Sequence, residues 1–493
     1  MSATTPKLLE LPARELARMI DAREVSAVEV ATASLDAIAA DSLGAFLHVT
    51  RDQALATAAE LDARRARGEK LGALGGVPVA LKDVLATTDA PTTAGSKILT
   101  RDGTLATGYV APYDAHAVTQ LRAAGAVLVG KTNMDEFAMG SSTENSAFYP
   151  AKNPHDPTRI PGGSSGGSAV AVAARMTPLA IGTDTGGSIR QPAALTGVVG
   201  VKPTYGRVSR YGLFAFASSL DQIGVFARDV SDAALGLEAV AGFDPRDATS
   251  ADVAPLAGSL SSAIRDPRGA RGLRIGVPKE YFGDGLEPEV RASVDAALAA
   301  LEKDGAELVP LSLPSTKYAL STYYVLATAE ASSNLSRYDG VRFGMRVHDG
   351  SAPLSELYKK TRGAGFGREV KRRIVLGTFV LSSGYYDAYY LRAQKVRAMI
   401  AEEFRGAFAR VDAVASATSP CVAFKIGERA LDPLAMYLAD VCTLPASLAG
   451  LPALSLPCAR SGGLPVGLQL VAAPFAEATL FRAAAAAERA IGM

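Results

Sequence analysis

Short apolar runs of the β type alternate with stretches of helical periodicity from Gly76 to the end of the 493-residue chain. Parallel strands need a crossover of roughly a dozen or more residues between them, and a helix usually supplies it. The alternation therefore predicts an α/β fold with one large mixed β-sheet covered by helices on both faces. The predicted strands span residues 77–85, 126–130, 179–183, 198–201, 273–277, 413–417, 453–456 and 466–471.

Helices are predicted where apolar residues recur at spacings of three and four. Ser26 and Glu29 have the spacing of a capping box, and the apolar positions that follow indicate a helix that begins there. Asp114 is expected to open another helix. The other predicted helices lie at about 52–65, 169–174, 287–303 and 386–408.

Residues 242–272 are the best linker candidate, because Asp, Pro, Ser and Gly are frequent there. Predicted strands lie on both sides of this segment, which favours one sheet fed by both halves of the chain over two separate domains. We therefore expect a single domain over residues 1–493, with N-terminal helices at about 8–68 and a motif-rich core at about 76–225.

The composition is that of an ordinary globular protein, with 48% hydrophobic residues, 20% charged residues and a formal net charge of +1. Nucleic acid binding needs a basic surface, so any contact with RNA must be local or made through another protein. The three cysteines form no Cys-x-x-Cys pair, which favours reduced thiols over disulfides or a zinc site. The first thirty residues hold no continuous apolar segment, and prolines interrupt the uncharged run at 441–459. We therefore expect a cytoplasmic protein without a membrane span.

Two glycine-serine clusters, at 162–168 and 184–188, are the most informative motifs, and they place Ser164 and Ser188 24 residues apart. Glycines let the backbone approach a ligand closely, although tight turns around a helix would explain a single cluster as well. A phosphate-binding loop fits the clusters poorly, because neither glycine run ends in lysine followed by serine or threonine. An aspartic protease is excluded, because the Asp-Thr-Gly triplet at 184–186 has no second copy.

The pattern Gly162-x-Ser164-x-Gly166 also satisfies the nucleophile elbow of α/β-hydrolases. That elbow requires a strand directly before the serine and a histidine after it, whereas residues 153–157 read Asn-Pro-His-Asp-Pro. The histidine that follows Ser164 is His348, in a polar stretch typical of a protein surface. The elbow therefore fits this chain poorly.

The chain has only four histidines, which favours another residue type as the base of a serine nucleophile, and a buried lysine can serve. Its pKa must fall from ~10.4 in water toward ~7 to 8 before it accepts a proton at neutral pH. Lys82 is the candidate, because Val77, Val79 and Leu81 share one face of the predicted strand. Lys82 then shares the other face with the small Ala80. A surface lysine at the end of an edge strand is the alternative.

Three segments resemble the amidase signature family, whose catalytic set is a serine, a second serine next to a cis peptide bond, and a lysine. These segments, at 76–83, 162–168 and 182–190, read GVPVALKD, GGSSGGS and GTDTGGSIR. The resemblance implies an amidase signature fold in which Ser188 is the nucleophile, Ser164 relays protons and Lys82 is the final base. It also implies a cis peptide bond after Gly163.

The same resemblance assigns the remaining residues of the two clusters. It implies structural roles for Ser165 and Ser168, and an oxyanion hole made by the N–H groups of Thr185, Gly186 and Gly187. Donors fixed where negative charge develops can supply several kcal/mol to a transition state, and a glycine turn presents them without obstruction.

Further segments resemble, within that family, the glutamine-hydrolysing subunits of tRNA-dependent amidotransferases, and the likeness covers nearly the whole chain. They lie at 141–148, 202–212, 369–373, 377–379, 383–390 and 465–470. The resemblance implies that Arg373 binds the α-carboxylate of glutamine and Asp440 its α-ammonium group, because buried charges need partners. Without it, Arg373 would belong to a solvated basic run and Asp440 would be an acid on a helix surface.

Helical spacing places Arg373 on one face with Val370 and Gly377, and it turns the basic residues at 371–372 away. Arg362 is the alternative ligand for the carboxylate. The pocket tyrosine is expected to be one of three residues, Tyr318, Tyr323 or Tyr324.

The implied reaction is hydrolysis of glutamine to glutamate and ammonia through a Ser188 acyl-enzyme. A partner would then use the ammonia to amidate Glu-tRNA(Gln), Asp-tRNA(Asn) or both. The expected partners are subunits B and C of a heterotrimer; the tRNA, ATP and Mg²⁺ would bind mainly to a partner, and no metal or cofactor is expected in this chain. Two alternatives stay open, a stand-alone amidase acting on other carboxamides and a non-catalytic assembly protein, although the intact triad argues against the second.

Overall fold

A computed structural model of the chain describes residues 8–283, 285–347, 350 and 353–492. Its strands are β1 (Phe46–Val49), β2 (Pro78–Lys82), β3 (Val127–Thr132), β4 (Leu179–Asp184), β5 (Val199–Lys202), β6 (Gln222–Ala227), β7 (Arg274–Pro278), β8 (Glu307–Leu311), β9 (Ala413–Ala417), β10 (Ala453–Ser461) and β11 (Leu464–Ala472). All of these strands form one sheet, in the order β1-β3-β2-β4-β6-β5-β10-β11-β9-β7-β8.

The sheet mixes parallel and antiparallel pairs. β2 runs parallel to β3 and β4, and β7 runs parallel to β8 and β9, while the other neighbours are antiparallel. The strands that precede residues 242–272, β1 to β6, and those that follow them, β7 to β11, therefore lie in one sheet, as expected. Every residue of β2, β3, β4, β6, β9 and β11 is buried, which requires cover on both faces. The predicted fold class is confirmed.

Helices supply that cover. Within the described ranges they are α1 (Ala13–Asp21), α2 (Ala27–Ala39), α3 (Arg51–Ala66), α4 (His116–Ala123), α5 (Gly166–Ala173), α6 (Arg190–Thr196), α7 (Val230–Val240), α8 (Ser259–Ile264), α9 (Pro288–Lys303), α10 (Ala319–Asn334), α11 (Leu354–Gly365), α12 (Arg368–Val380), α13 (Arg392–Phe408), α14 (Pro433–Leu438), α15 (Leu444–Leu448) and α16 (Glu477–Ile491). α5 packs against β2 and β4, and α16 packs against β10 and β11.

The predicted strands are all present, but three others were missed. β1 is an edge strand of four residues, too short to show an alternation, and β8 is a partly exposed edge strand that contains Pro310, a residue that argues against a strand. β6 is fully buried, yet Gly224 interrupts its apolar run. A Cβ at Gly224 would lie 2.0 Å from the carbonyl oxygen of Val201, so the close approach of β5 explains the glycine.

The capping box at the start of α2 is confirmed. The Ser26 side chain accepts from the Glu29 N–H at 3.1 Å, and Glu29 accepts from the Ser26 N–H at 2.8 Å. The prediction that Asp114 opens a helix was wrong, because α4 begins at His116. The Asp114 carboxylate instead accepts from the Thr88 N–H at 2.8 Å and from Arg122 at 3.0 Å.

The predicted helix at 386–408 consists of a short π-helix at Asp387–Leu391 followed by α13. Across the described part of the chain, no helix is both long enough and apolar enough to cross a membrane. The uncharged run at 441–459 forms α15 and the beginning of β10. The three cysteines, Cys421, Cys442 and Cys458, are buried free thiols. His348 lies outside the described residues.

Candidate active site

Lys82 lies at the carboxyl end of β2, where its side chain is fully buried. β4 runs parallel to β2, so the carboxyl ends of the two strands meet at one edge of the sheet. There, Nζ of Lys82 donates to Ser164 Oγ at 2.7 Å and to Thr183 Oγ1 at 2.8 Å. The alternative of a surface lysine is therefore wrong, and the predicted lysine and relay serine are in direct contact.

Burial lowers the pKa of Lys82 from 10.5 to about 7, although Asp135, Asp184 and Asp221 act in the opposite direction. At neutral pH a substantial fraction of Lys82 is then an uncharged amine with a free lone pair. The same short contact lets the Ser164 hydroxyl donate its proton to this amine. Lys82 is thus able to act as a general base.

Ser164 follows a cis peptide bond from Gly163, as the resemblance implied. The backbone here is packed too tightly for a side chain, since a Cβ at Gly163 would lie 2.2 Å from Asp135 Oδ2. The Gly163 N–H donates to the Gln191 side chain at 3.0 Å, and the Asp135 carboxylate accepts the Thr143 N–H at 2.8 Å. Asp135 and Gln191, which the sequence did not single out, hold the turn that presents Ser164.

Ser165 and Ser168 have the structural contacts expected of them. Ser165 Oγ donates to the Thr183 carbonyl at 3.0 Å, and Ser168 Oγ donates to the Ile181 carbonyl at 3.0 Å. Both side chains are buried and tie α5 to β4.

Ser188 lies in the turn between β4 and α6 and is 6% exposed. Its carbonyl oxygen accepts the Ser165 N–H at 3.2 Å, which joins the two glycine-serine clusters. A buried ion pair anchors this turn, because Arg190 contacts Asp184 through two nitrogens at 3.0 and 2.9 Å. Arg190 also donates to the Gln469 side chain at 2.7 Å, so β11 supports the turn that carries Ser188.

The N–H groups of Gly186 and Gly187 have no hydrogen-bond acceptor within the described segments. Side chains cannot be accommodated at either position. A Cβ at Gly186 would lie 2.8 Å from the Tyr323 ring, and one at Gly187 would lie 2.2 Å from Thr443 Oγ1. Two free donors in a rigid glycine turn beside Ser188 are what an oxyanion hole requires.

Thr185, the first residue of this turn, is fixed through its side chain. Its hydroxyl donates to Asp221 Oδ1 at 2.7 Å, and the other Asp221 oxygen accepts the Phe216 N–H at 2.9 Å. Burial raises the pKa of Asp221 to about 6. The Asp221 carboxylate therefore orients the turn from outside the cluster.

Arg373 is buried on the inner face of α12, together with Val370 and Gly377, while Lys371 is exposed. The alternative of a solvated basic run is therefore wrong. Nε of Arg373 donates to Glu369 Oε1 at 2.8 Å. The other candidate, Arg362, donates to the backbone carbonyls of residues 335 and 338 and is occupied there.

Asp440 is 7% exposed and is not a surface acid. Its Oδ2 accepts from the Ser141 hydroxyl, and its Oδ1 is buried with no partner among the described residues. A Cβ at Gly187 would lie 3.2 Å from this oxygen, so Oδ1 lies beside the residue that precedes Ser188. Burial raises the pKa of Asp440 to about 7. A buried carboxylate oxygen without a donor suits a cationic ligand group.

Of the three candidate tyrosines, the structure favours Tyr323 and Tyr324 over Tyr318 as residues of the pocket. Tyr318 is 46% exposed, whereas Tyr323 packs on Gly186. The Tyr324 ring lies 5.2 Å from the Arg373 guanidinium and stacks on Tyr437 with ring centroids 4.0 Å apart. Tyr437 was not predicted, although it lies three residues before Asp440 in the sequence.

Arg373 and Tyr437 border a cavity of about 300 Å³. The residues that line it are Gly140, Ser142, Glu144, Asn145, Arg368, Glu369, Arg372, Arg373, Arg429, Ala430, Pro433, Met436 and Tyr437. In the ranges that the structure covers, no group of three or more histidine, cysteine or acidic residues could hold a metal ion.

Comparison with known proteins places the chain among amide-hydrolysing enzymes. A family model described as Amidase matches residues 29–481. The A subunit of glutamyl-tRNA(Gln) amidotransferase from Moorella thermoacetica is 58% identical over 485 residues, which are 98% of this chain and 97% of that protein. The crystal structure of the Thermotoga maritima protein of the same name is similar with a TM-score of 0.76 at 40% identity, covering 99% of this chain and 94% of that one. A peptide amidase from Stenotrophomonas maltophilia gives a TM-score of 0.79 at 33% identity, over 97% and 96% of the two chains.

Proposed function

The chain belongs to the amidase family, and from that membership we propose that it is the glutamine-hydrolysing subunit of a tRNA-dependent amidotransferase. The observation that carries the proposal is a pair of buried groups of opposite charge, Arg373 and Asp440, that interact electrostatically. Arg373 and Asp440 each keep unused hydrogen-bonding capacity, and the free Asp440 oxygen lies next to the turn that carries Ser188. Such a pair matches the α-carboxylate and α-ammonium groups of a free amino acid.

The first chemical step is attack of Ser188 Oγ on the side-chain amide carbon of glutamine. Ser164 accepts the Ser188 proton as it passes its own to Lys82, whose lowered pKa allows it to accept. The N–H groups of Gly186 and Gly187, with that of Thr185, stabilise the oxyanion. Collapse of the tetrahedral intermediate breaks the C–N bond, and the relay returns its proton to the departing ammonia.

The second step hydrolyses the glutamyl ester on Ser188. Water attacks the ester carbonyl, and the Ser164–Lys82 relay takes the proton of the attacking water. The oxyanion forms at the same donors. Release of glutamate restores the Ser188 hydroxyl, and every proton transfer uses groups of this chain.

The family relationship also implies an assembly. The relatives from Moorella and Thermotoga are A subunits of amidotransferases, so the chain acts in a complex with other subunits. We propose that subunits B and C are these partners, that a partner binds ATP, Mg²⁺ and most of the tRNA, and that the complex works in the cytoplasm. We also propose that residues 1–493 form one domain, with the N-terminal helices and the core assigned from the sequence.

Ammonia release from L-glutamine tests the proposal directly. The chain is purified alone and co-expressed with its partner subunits, and the Ser188→Ala protein serves as the control. Release that depends on Ser188 and increases with partners, ATP and misacylated tRNA is expected. Turnover of simple amides without turnover of glutamine would instead make the chain a stand-alone amidase.

A further inference from the structure

The guanidinium group of Arg373 uses one side for contacts within the protein and leaves the other side open. Nε donates to Glu369 Oε1 at 2.8 Å, whereas NH1 and NH2 donate to no acceptor in the described ranges. Arg373 also borders the cavity of about 300 Å³ described above. The terminal N–H fork of arginine is the group that binds a carboxylate through two parallel hydrogen bonds.

Glu369 is held in place by two further groups. Its Oε1 also accepts from the Tyr437 hydroxyl at 2.7 Å, and its Oε2 accepts from Arg372 NH1. Burial by itself would raise the pKa of Glu369, but Arg373 and the Tyr437 hydroxyl outweigh it and lower the pKa, so this acid is ionised at neutral pH. Two guanidinium groups around one carboxylate leave a net charge of +1, which one substrate carboxylate would neutralise.

Aromatic rings limit the movement of the same guanidinium group. Its central carbon lies 5.2 Å from the Tyr324 ring centroid, 5.4 Å from that of Tyr437 and 5.6 Å from that of Phe216. Tyr437 therefore contributes twice, through its ring and through its hydroxyl. A guanidinium held by rings and by an acceptor at Nε has few orientations open to it, which lowers the entropy lost when a ligand binds.

We infer that Glu369 and Tyr437 are positioning residues that aim the terminal fork of Arg373 at the α-carboxylate of the substrate. They thereby set the preference for an amino-acid amide over an amide without a carboxylate. The inference rests on the proposed function and deepens it. Neither residue touches the reacting atoms, so their removal should affect substrate binding rather than the chemical step.

The test compares L-glutamine with propionamide in the complex co-expressed with its partner subunits. Tyr437→Phe keeps the ring and removes the hydroxyl. We expect the KM for glutamine to rise about fivefold more than the KM for propionamide, the effect of one lost hydrogen bond, with kcat for glutamine changed less than about twofold. Glu369→Gln should raise the ratio of the glutamine KM to the propionamide KM further, by about 10-fold or more, because the substitution removes an ionic acceptor. Tyr318→Phe, at an exposed tyrosine, should leave the ratio unchanged.

Parallel changes in kcat and KM for both substrates would indicate a structural role and overturn the inference. An unchanged glutamine KM in Tyr437→Phe and Glu369→Gln would overturn it as well. Calorimetry in a Ser188→Ala background makes the test independent of turnover, since glutamine binding should weaken by the same factors. The unmodified complex tests the proposed function separately, because absence of glutamine hydrolysis there counts against the amidotransferase assignment. The glutamine affinities of the variants, measured by calorimetry, still decide whether Glu369 and Tyr437 position Arg373.

Discussion

Lowering the pH below neutrality perturbs two groups of the site at once. Burial brings both pKa values to about 7, down from 10.5 for Lys82 and up from 3.8 for Asp440. Lys82 accepts a proton only as a neutral amine, and Asp440 attracts an ammonium group only as a carboxylate. Both groups lose their active form in the same direction, as the pH falls through about 7.

The magnitude depends on how many of these groups a substrate needs. About two pH units below its pKa, roughly 1% of each group stays deprotonated. Propionamide needs Lys82 alone, so its kcat/KM should fall about 100-fold from the plateau to about pH 5. Glutamine needs Lys82 and Asp440, so its kcat/KM should fall on the order of 10⁴-fold over the same range.

Ammonia release at substrate concentrations well below KM measures kcat/KM for both substrates between about pH 5 and pH 9. Below the pKa values, a plot of log(kcat/KM) against pH should have a slope of one for propionamide and two for glutamine. The Asp440→Asn protein should show a slope of one for glutamine. Equal slopes in the unmodified enzyme would refute Asp440 as the ammonium ligand, and a profile that stays flat down to about pH 5 would refute Lys82 as the base.

Three further perturbations test the site and its packing. Arg373→Ala should raise the KM for glutamine about 10- to 100-fold, the loss of a charge-assisted pair, and an equal rise for propionamide would contradict the assignment. Lys82→Met should lower kcat/KM on the order of 10³-fold with no loss in melting temperature; near-normal turnover would place the base elsewhere. Gly187→Ala should abolish activity and destabilise the fold by about 1–3 kcal/mol, because the new Cβ would lie 2.2 Å from Thr443 Oγ1. Its control is Gly406→Ala in α13, where a Cβ would meet no atom of the described residues within 4 Å. A gain of about 0.5–1 kcal/mol in the free energy of unfolding is expected there by thermal or denaturant unfolding.

The three residues proposed to be catalytic could be singled out from the sequence because each lies in a short contiguous motif. Gly163 and Gly187 have no room for a Cβ, so close packing is recorded in the local sequence as glycine. Lys82 was identifiable because successive side chains of a strand alternate between faces, which puts Lys82 on the face opposite Val77, Val79 and Leu81. The fold class was predictable for a similar reason, since the periodicities of strands and helices are properties of neighbouring residues.

The surroundings of these residues were not predictable, because they come from distant parts of the chain. Arg190 donates a hydrogen bond to Gln469, 279 residues away, and the Tyr437 hydroxyl donates one to Glu369, 68 residues away. No local pattern relates such positions. The prediction for Asp114 failed for the same reason, because its carboxylate accepts the N–H of Thr88, 26 residues away, and does not cap α4.

The sequence by itself determined most of the strands, the two glycine turns and the identity of the chemical groups proposed for the site. Only the tertiary structure decided that Lys82 is buried against Ser164 and Thr183, that Arg373 shares Glu369 with Tyr437, and that one Asp440 oxygen has no donor among the described residues. The division has a physical reason. Backbone conformation follows from neighbouring residues, whereas pKa values and the aim of a charged side chain depend on desolvation and partners that folding alone brings together.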